Sequence, residues 1–240
     1  EKKYASAGFI VSDLVPVGTI TNLFEDKLGT TGPDEIVVDI GKRQGIEKGD
    51  QFTVYTLDRY IYHPVLEGDM FEKLGEYTRR KGYEHKMVPH PGKPVGHRVM
   101  IQGVVEITEL GDEISYARVV KAYESIEAGY LLTPYKKYED KTSAFSEIDK
   151  SVEGYIVASK GDKIGISEGD FIYIDKGWEN EVRPGDRFEV YSLPVVDDKV
   201  WYKFGFGKKP LLPYVRGEIK IIDTQKKTAT AIVVKSRIDM

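Results

Sequence analysis

The chain has 240 residues, of which 40% are hydrophobic and 31% charged, with 35 Lys and Arg set against 39 Asp and Glu. A formal charge of −4 with no cationic block argues against a binder that neutralises nucleic-acid phosphates, and no run approaches the roughly 20 apolar residues that span a bilayer. The absence of cysteine excludes disulfides, thiolate metal sites and thiol nucleophiles together.

Val and Ile number 45 against 21 for Leu and Ala, and there are 16 Tyr and 24 Gly. Branched and aromatic side chains suit a pleated, half-buried surface, and glycine punctuates it with turns, so the expectation is an all-β protein. In chain order, Ala7 to Val11 is a strand leading into the first domain, and Glu35 to Ile40 is the next strand. Lys48-Gly49-Asp50 then reads as a turn with glycine at a positive φ and the aspartate closing it on backbone donors. The alternating run Gln51 to Tyr55 follows, placing Phe52 and Val54 on one buried face. From Asp58 the pattern breaks, and Arg59 to Pro89 reads as a long insertion carrying Tyr60, Tyr62, Phe71, Tyr77 and Tyr83 among many charges. Strands resume at Val99 to Ile107 and Tyr116 to Ala122, and residues 136–151 are a polar linker. Beyond it come a strand at Phe171 to Asp175, a second turn at Pro184-Gly185-Asp186, and a second run at Arg187 to Tyr191 in which Phe188 and Val190 face inward. A final hairpin joins Val215 to Ile222 and Thr228 to Lys235 through Asp223 to Lys227.

These elements occur twice. Gly18 to Leu57 aligns with Gly154 to Leu193 at a constant offset of 136, with 15 identities in 40 pairs. Unrelated chains of ordinary composition would share about two or three. A second block repeats at an offset of 114, pairing Gly103 with Gly217, Ile107 with Ile221, Ala117 with Ala231 and Lys121 with Lys235. Copy one therefore carries a surplus of 22 residues between its blocks. The expected architecture is two tandem, small, closed or half-closed β-barrels: residues 1–135 with the insertion at about 59–89, the linker at 136–151, and residues 152–240.

The pattern Gly41-x-x-x-Gly45-Ile46-x-x-Gly49-Asp50-x-Phe52-x-Val54-Tyr55 resembles the carboxy-terminal domain of the flagellar assembly protein FlgT. A similar domain follows a LysM peptidoglycan-binding module in TsaP, which is associated with the secretin of type IV pili. LysM-containing envelope proteins with such domains in tandem are similar along more of the chain, through Ala7-Gly8-Phe9-Ile10, Pro16-x-Gly18-x-Ile20, Gly103-Val104-Val105-Glu106 and Ile126-Glu127-Ala128-Gly129, ending at Thr133-Pro134-Tyr135. The resemblance implies a bacterial protein of the periplasm or outer membrane, a non-enzymatic scaffold or anchor with protein partners such as a secretin or a homo-oligomeric ring. It implies contact with peptidoglycan through an amino-terminal module that these residues do not contain. Glu1 is not a start methionine and copy two stops short of the residues matching Ile126 to Tyr135, so truncation at both ends is the expectation. In copy two Glu181 replaces Gly45, and a turn of different shape is expected there.

No pattern of catalytic chemistry emerges. His63, His85, His90 and His97 are spaced unlike any metal-ligand motif, and Asp50 and Asp186 lack the close acidic neighbours of a calcium loop, so no metal and no cofactor are expected. Gly49, Asp50, Gly185 and Asp186 are read as structural turns. The candidate partner-binding residues are the insertion aromatics Tyr60, Tyr62, Phe71, Tyr77 and Tyr83, together with Trp201 and Tyr202 in copy two. Aromatics so placed also suit sugar stacking, which makes a peptidoglycan- or carbohydrate-binding module the alternative reading.

Overall fold

A computed structural model describes residues 2–24, 27–68, 92–136, 151–163, 165–192 and 212–237. Apart from one helical turn (α1, Lys2–Ala5) and two short 3-10 turns, its regular structure is β. The strands are β1 (Phe9–Val11), β2 (Gly18–Leu23), β3 (Glu35–Val38), β4 (Gln51–Glu67), β5 (Gly92–Glu109), β6 (Ser115–Ala122), β7 (Leu131–Pro134), β8 (Ile156–Ser159), β9 (Phe171–Ile174), β10 (Arg187–Ser192), β11 (Tyr214–Thr224) and β12 (Ala229–Ser236). They make two antiparallel sheets.

In copy one, β4 pairs with β5, β5 with β6, β6 with β3, β3 with β2, β2 with β7 and β7 with β4. That cycle of six strands leaves no free edge, and β1 is added outside it along β5. Alternation sends Ile20, Ile36, Val38, Phe52, Val54, Val105, Ile107, Ala117, Val119 and Leu132 into one buried core. Copy two forms a five-stranded sheet in the order β10-β11-β12-β9-β8, around Ile172, Ile174, Ile219, Ile221, Ala231 and Val233.

Several bonds recur in both copies. Gly49 N–H donates to Ile107 O at 2.9 Å, and Gly185 N–H to Ile221 O at 2.9 Å. Val119 N–H donates to Asp34 O at 3.0 Å, and Val233 N–H to Asp170 O at 2.9 Å. Phe52 faces Val105 across its ladder and Phe188 faces Ile219, with a bulge after Val54 and again after Val190. The turn chemistry is the expected one: Gly49 and Gly185 sit at φ 93° and 101°. Asp50 Oδ2 accepts from Glu47 N–H and Asp186 Oδ2 from Arg183 N–H, each at 2.9 Å.

Three expectations need correction. The turn at Glu181 has the same shape as the one at Gly45: both residues close a 3-10 turn in the left-handed region, at φ 63° and 76°. The neighbouring hydrogen bonds to the β11–β12 hairpin, from Trp178 N–H to Gln225 O and from Glu179 N–H to Lys226 O, fix that conformation whatever the side chain. Glu181→Gly should therefore stabilise copy two by about 0.5–1 kcal/mol, read as a raised denaturant midpoint at constant slope.

The second correction concerns the ends of the insertion, which are strand rather than loop. Arg59 to Glu67 continues β4, and Gly92 to Arg98 lies in β5, so the two make one long two-stranded arm. Residues 69–91 lie outside the described residues. Third, Phe188 and Val190 are only half-buried, because β10 is the edge of its sheet, whereas β4 is flanked on both sides. Of the linker, only Lys136 and Ser151 are described.

Candidate functional site: the seam between the copies

The arm and β1 hold the two copies together. β1 lies along β5, with Phe9 opposite Val99 and Val11 opposite His97, and its approach rests on the outer face of β9 and β12. There the backbone of copy one is capped by side chains of copy two. Tyr173 O–H donates to Ala7 O at 2.7 Å, Thr230 O–H to Gly8 O at 2.8 Å, and Thr228 O–H to Ile10 O at 2.6 Å. All three hydroxyl groups are buried, so each bond satisfies a donor and an acceptor that water cannot reach. Lys160 Nζ donates to Ser6 O at 2.5 Å, and burial pushes its ammonium below the usual lysine range. Burial likewise pushes the Tyr173 phenol well above the ordinary tyrosine range, keeping it a neutral donor.

Two apolar clusters flank these bonds. Ile10 and Ile61 of copy one pack with Val157 and Tyr173 of copy two. Ala7 packs with Phe171, Ile222 and Ile232, and the Tyr4 ring meets Phe171 edge-on at 6.1 Å between centroids.

Charge completes the seam. The Arg98 side chain is 4% exposed and gives its whole donor fork to copy one and copy two at once. Nε donates to Asp58 Oδ2 at 2.9 Å, Nη1 to Asp162 Oδ1 at 2.6 Å and to Ser159 O at 2.9 Å, and Nη2 to Asp162 Oδ2 at 2.9 Å as well as to Asp58. Asp162 also accepts from Arg59 at 2.6 Å. The Arg98 hydrogen bond holds the Asp162 carboxyl below the usual carboxylate range, and the paired carboxylates push the Arg98 guanidinium further up. Asp162 reaches this position with φ at 53°, a conformation that aspartate tolerates better than most residues.

Deeper in the arm, His63 is buried. Its Nδ1 accepts from Val65 N–H at 3.1 Å and Leu66 N–H at 2.8 Å, which leaves the proton on Nε2, 3.4 Å from Asp175 Oδ2 in copy two. Asp175 Oδ1 in turn accepts from Tyr155 N–H at 2.7 Å.

The geometry has a pH consequence. A carboxylate whose folded pKa lies below its unfolded value of about 3.9 contributes stability above that value and loses it as pH falls through the folded pKa. Asp162 is such a group, as are Asp34 beside Thr30 and Lys27, and Asp170 beside Lys163. Acidification below about pH 4 should loosen the seam first, measured as hydrogen exchange at Gly8 and Ile10 rising before that of the barrel core.

The sequence-predicted residues fall differently. Gly49, Asp50, Gly185 and Asp186 occupy their turns, away from the seam. Tyr60 and Tyr62 lie on β4 with ring centroids 5.2 Å apart, and Tyr60 meets His97 edge-on at 4.8 Å. Ile61 and His63, which alternate with them, turn toward copy two. Phe71, Tyr77, Tyr83, Trp201, Tyr202, His85 and His90 lie outside the described residues. Among the described residues no three His, Asp or Glu side chains converge to hold a metal.

Sequence reasoning missed Arg98, Asp58, Asp162, His63, Tyr173, Thr228 and Thr230. One signal was present for part of it: several apolar and hydroxyl seam residues of copy two lie where the copies differ, although Asp162 and Asp175 match Asp26 and Asp39. Phe171, Tyr173, Ile222, Thr230 and Ile232 stand at the positions of Glu35, Val37, Thr108, Tyr116 and Arg118. The chain matches no protein-family model and no curated protein.

Proposed function

We propose that this chain is a non-enzymatic cell-envelope scaffold, in which two barrels of the FlgT carboxy-terminal type present partner-binding surfaces at a fixed spacing around a pilus secretin or a similar envelope machine. The observation that supports this reading is the seam: its buried ionisable groups, Arg98 with Asp58 and Asp162 and His63 with Asp175, are spent on locking one copy to the other. Such an arrangement fixes the geometry of one copy against the other, with every donor of Arg98 engaged. Size-exclusion chromatography with light scattering, run with and without a purified secretin ring, tests the proposal. Co-elution or self-assembly into a ring supports it; a monomer that ignores the secretin overturns it.

The second reading, a peptidoglycan- or carbohydrate-binding module, draws on the grouped rings of Tyr60, Tyr62 and His97 on the arm. Sedimentation with purified cell wall decides it: retention that is lost in a Tyr60→Ala, Tyr62→Ala double variant supports this reading, and full recovery in the supernatant rejects it.

A further inference from the structure

The two copies put the same face to different uses. On copy two the outer face of β9 and β12 is the floor of the seam, where Phe171, Tyr173, Thr228, Thr230 and Ile232 are all buried. The repeat offsets place Glu35, Val37, Ile114, Tyr116 and Arg118 at these positions on copy one, on and beside β3 and β6. There the face is open. Ile114 is 58% exposed against 3% for Thr228, and Tyr116 is 40% exposed against 1% for Thr230. Phe24, at the position of the seam lysine Lys160, is also exposed, and its ring centroid lies 5.6 Å from that of Tyr116. Val120 adds one more exposed apolar side chain on β6. Aromatic and branched side chains grouped at the centre of a face, with charges beside them, have the make-up of a protein interface.

The seam cannot be repeated here in its own form. Two of the three hydroxyls that cap backbone carbonyls in copy two, those of Tyr173 and Thr228, are replaced by Val37 and Ile114. A bare extended strand laid on this face would leave carbonyls without donors. What the face has instead is self-complementarity. In the β3–β6 ladder Glu35 stands opposite Arg118, and Val37 opposite Tyr116. A two-fold axis running between these strands and parallel to them would lay β3 of each protomer over β6 of its partner. Every cross-strand pair then meets its own reverse: Glu35 meets Arg118, Arg118 meets Glu35, and Val37 meets Tyr116. Arg118 is placed for this, since its side chain is 54% exposed and its Nη2 lies 3.8 Å from Glu106 Oε1, too far for a hydrogen bond.

We propose that the outer face of β3 and β6 is an isologous interface with a second copy of this chain, centred on Phe24, Val37 and Tyr116 and registered by Glu35 and Arg118. Opposite charges paired twice fix the register, and the apolar centre supplies the affinity. This interface follows from the two copies alone and does not rest on the envelope role.

Sedimentation velocity of the full chain near pH 7 tests it. A monomer–dimer equilibrium with a dissociation constant below about 0.5 mM is expected. Glu35→Arg and Arg118→Glu should each weaken the dimer at least about tenfold, because each sets like charges face to face. Mixing the two variants should restore it, since each chain then offers the charges that the other lacks, and a variant that had merely misfolded would not recover on mixing. Tyr116→Asp should weaken the dimer at least about tenfold with both charges intact. A chain that stays monomeric up to about 0.5 mM would overturn the proposal, as would a dimer that these variants leave unchanged. Failure of the mixed charge variants to pair would overturn it too.

Discussion

Replacing Arg98 with methionine should uncouple the two copies while leaving each sheet intact. The guanidinium is buried, and its removal leaves Asp58 and Asp162 facing each other with only the exposed Arg59 nearby. Breaking a buried ion pair by deleting one partner costs about 3–5 kcal/mol, and the 41% exposure of each carboxylate lets water take over part of the lost interaction. A net loss of about 2–3 kcal/mol is expected, concentrated at the seam. Calorimetry should convert a single unfolding transition into two, and the backbone amides of β1 should exchange at least about tenfold faster. A triple variant that also neutralises both carboxylates, Arg98→Met with Asp58→Asn and Asp162→Asn, should recover much of the loss, because the uncompensated charges are then gone. A merely misfolded Arg98→Met protein would not be rescued in this way.

The second large effect belongs to a glycine that the repeat preserves. Gly41 and Gly177 have extended backbones that any residue could adopt, so their requirement is one of space. A Cβ at Gly41 would lie 2.5 Å from Gly111 O and 2.7 Å from Asp112 O, and a Cβ at Gly177 would press equally hard on Gln225 O and Lys226 O. These carbonyls accept the hydrogen bonds that seat each 3-10 turn on the hairpin between β5 and β6, or between β11 and β12. Overpacking costs about 1–3 kcal/mol, and losing two backbone hydrogen bonds adds about 1 kcal/mol each. Gly41→Ala and Gly177→Ala should each lose about 3–5 kcal/mol in their own copy, read by urea denaturation. Gly32→Ala is the control, since nothing approaches its missing Cβ, and it should be close to neutral.

These two residues illustrate what a single sequence exposes. The duplicated fold could be read because its turns are made by residue types with few substitutes: glycine at positive φ, an aspartate directly after it to take the backbone donor three residues back, and a branched strand behind them. The same logic erred at Glu181, where hydrogen bonds from the adjacent hairpin impose a left-handed residue and override the local preference. The ends of the insertion read as loop rather than strand because Arg59, His63 and Glu67 give β4 a polar, bulged pattern. His63 is polar in sequence and buried in fact, held there by the Val65 and Leu66 N–H groups on its Nδ1 and with Asp175, 112 positions away, 3.4 Å from its Nε2. The seam as a whole was illegible for a related reason. Attention to what the copies share selects the residues that build each sheet, whereas many contacts between the copies fall on positions where they diverge, such as Phe171 against Glu35.

The rigid joining of the two copies is best tested by residual dipolar couplings of backbone amides in weakly aligned protein near pH 7. A single alignment tensor should fit the couplings of β2 to β7 and of β8 to β12 together, with the relative orientation described above. Two tensors of different magnitude, one for each copy, would contradict a seam that locks them.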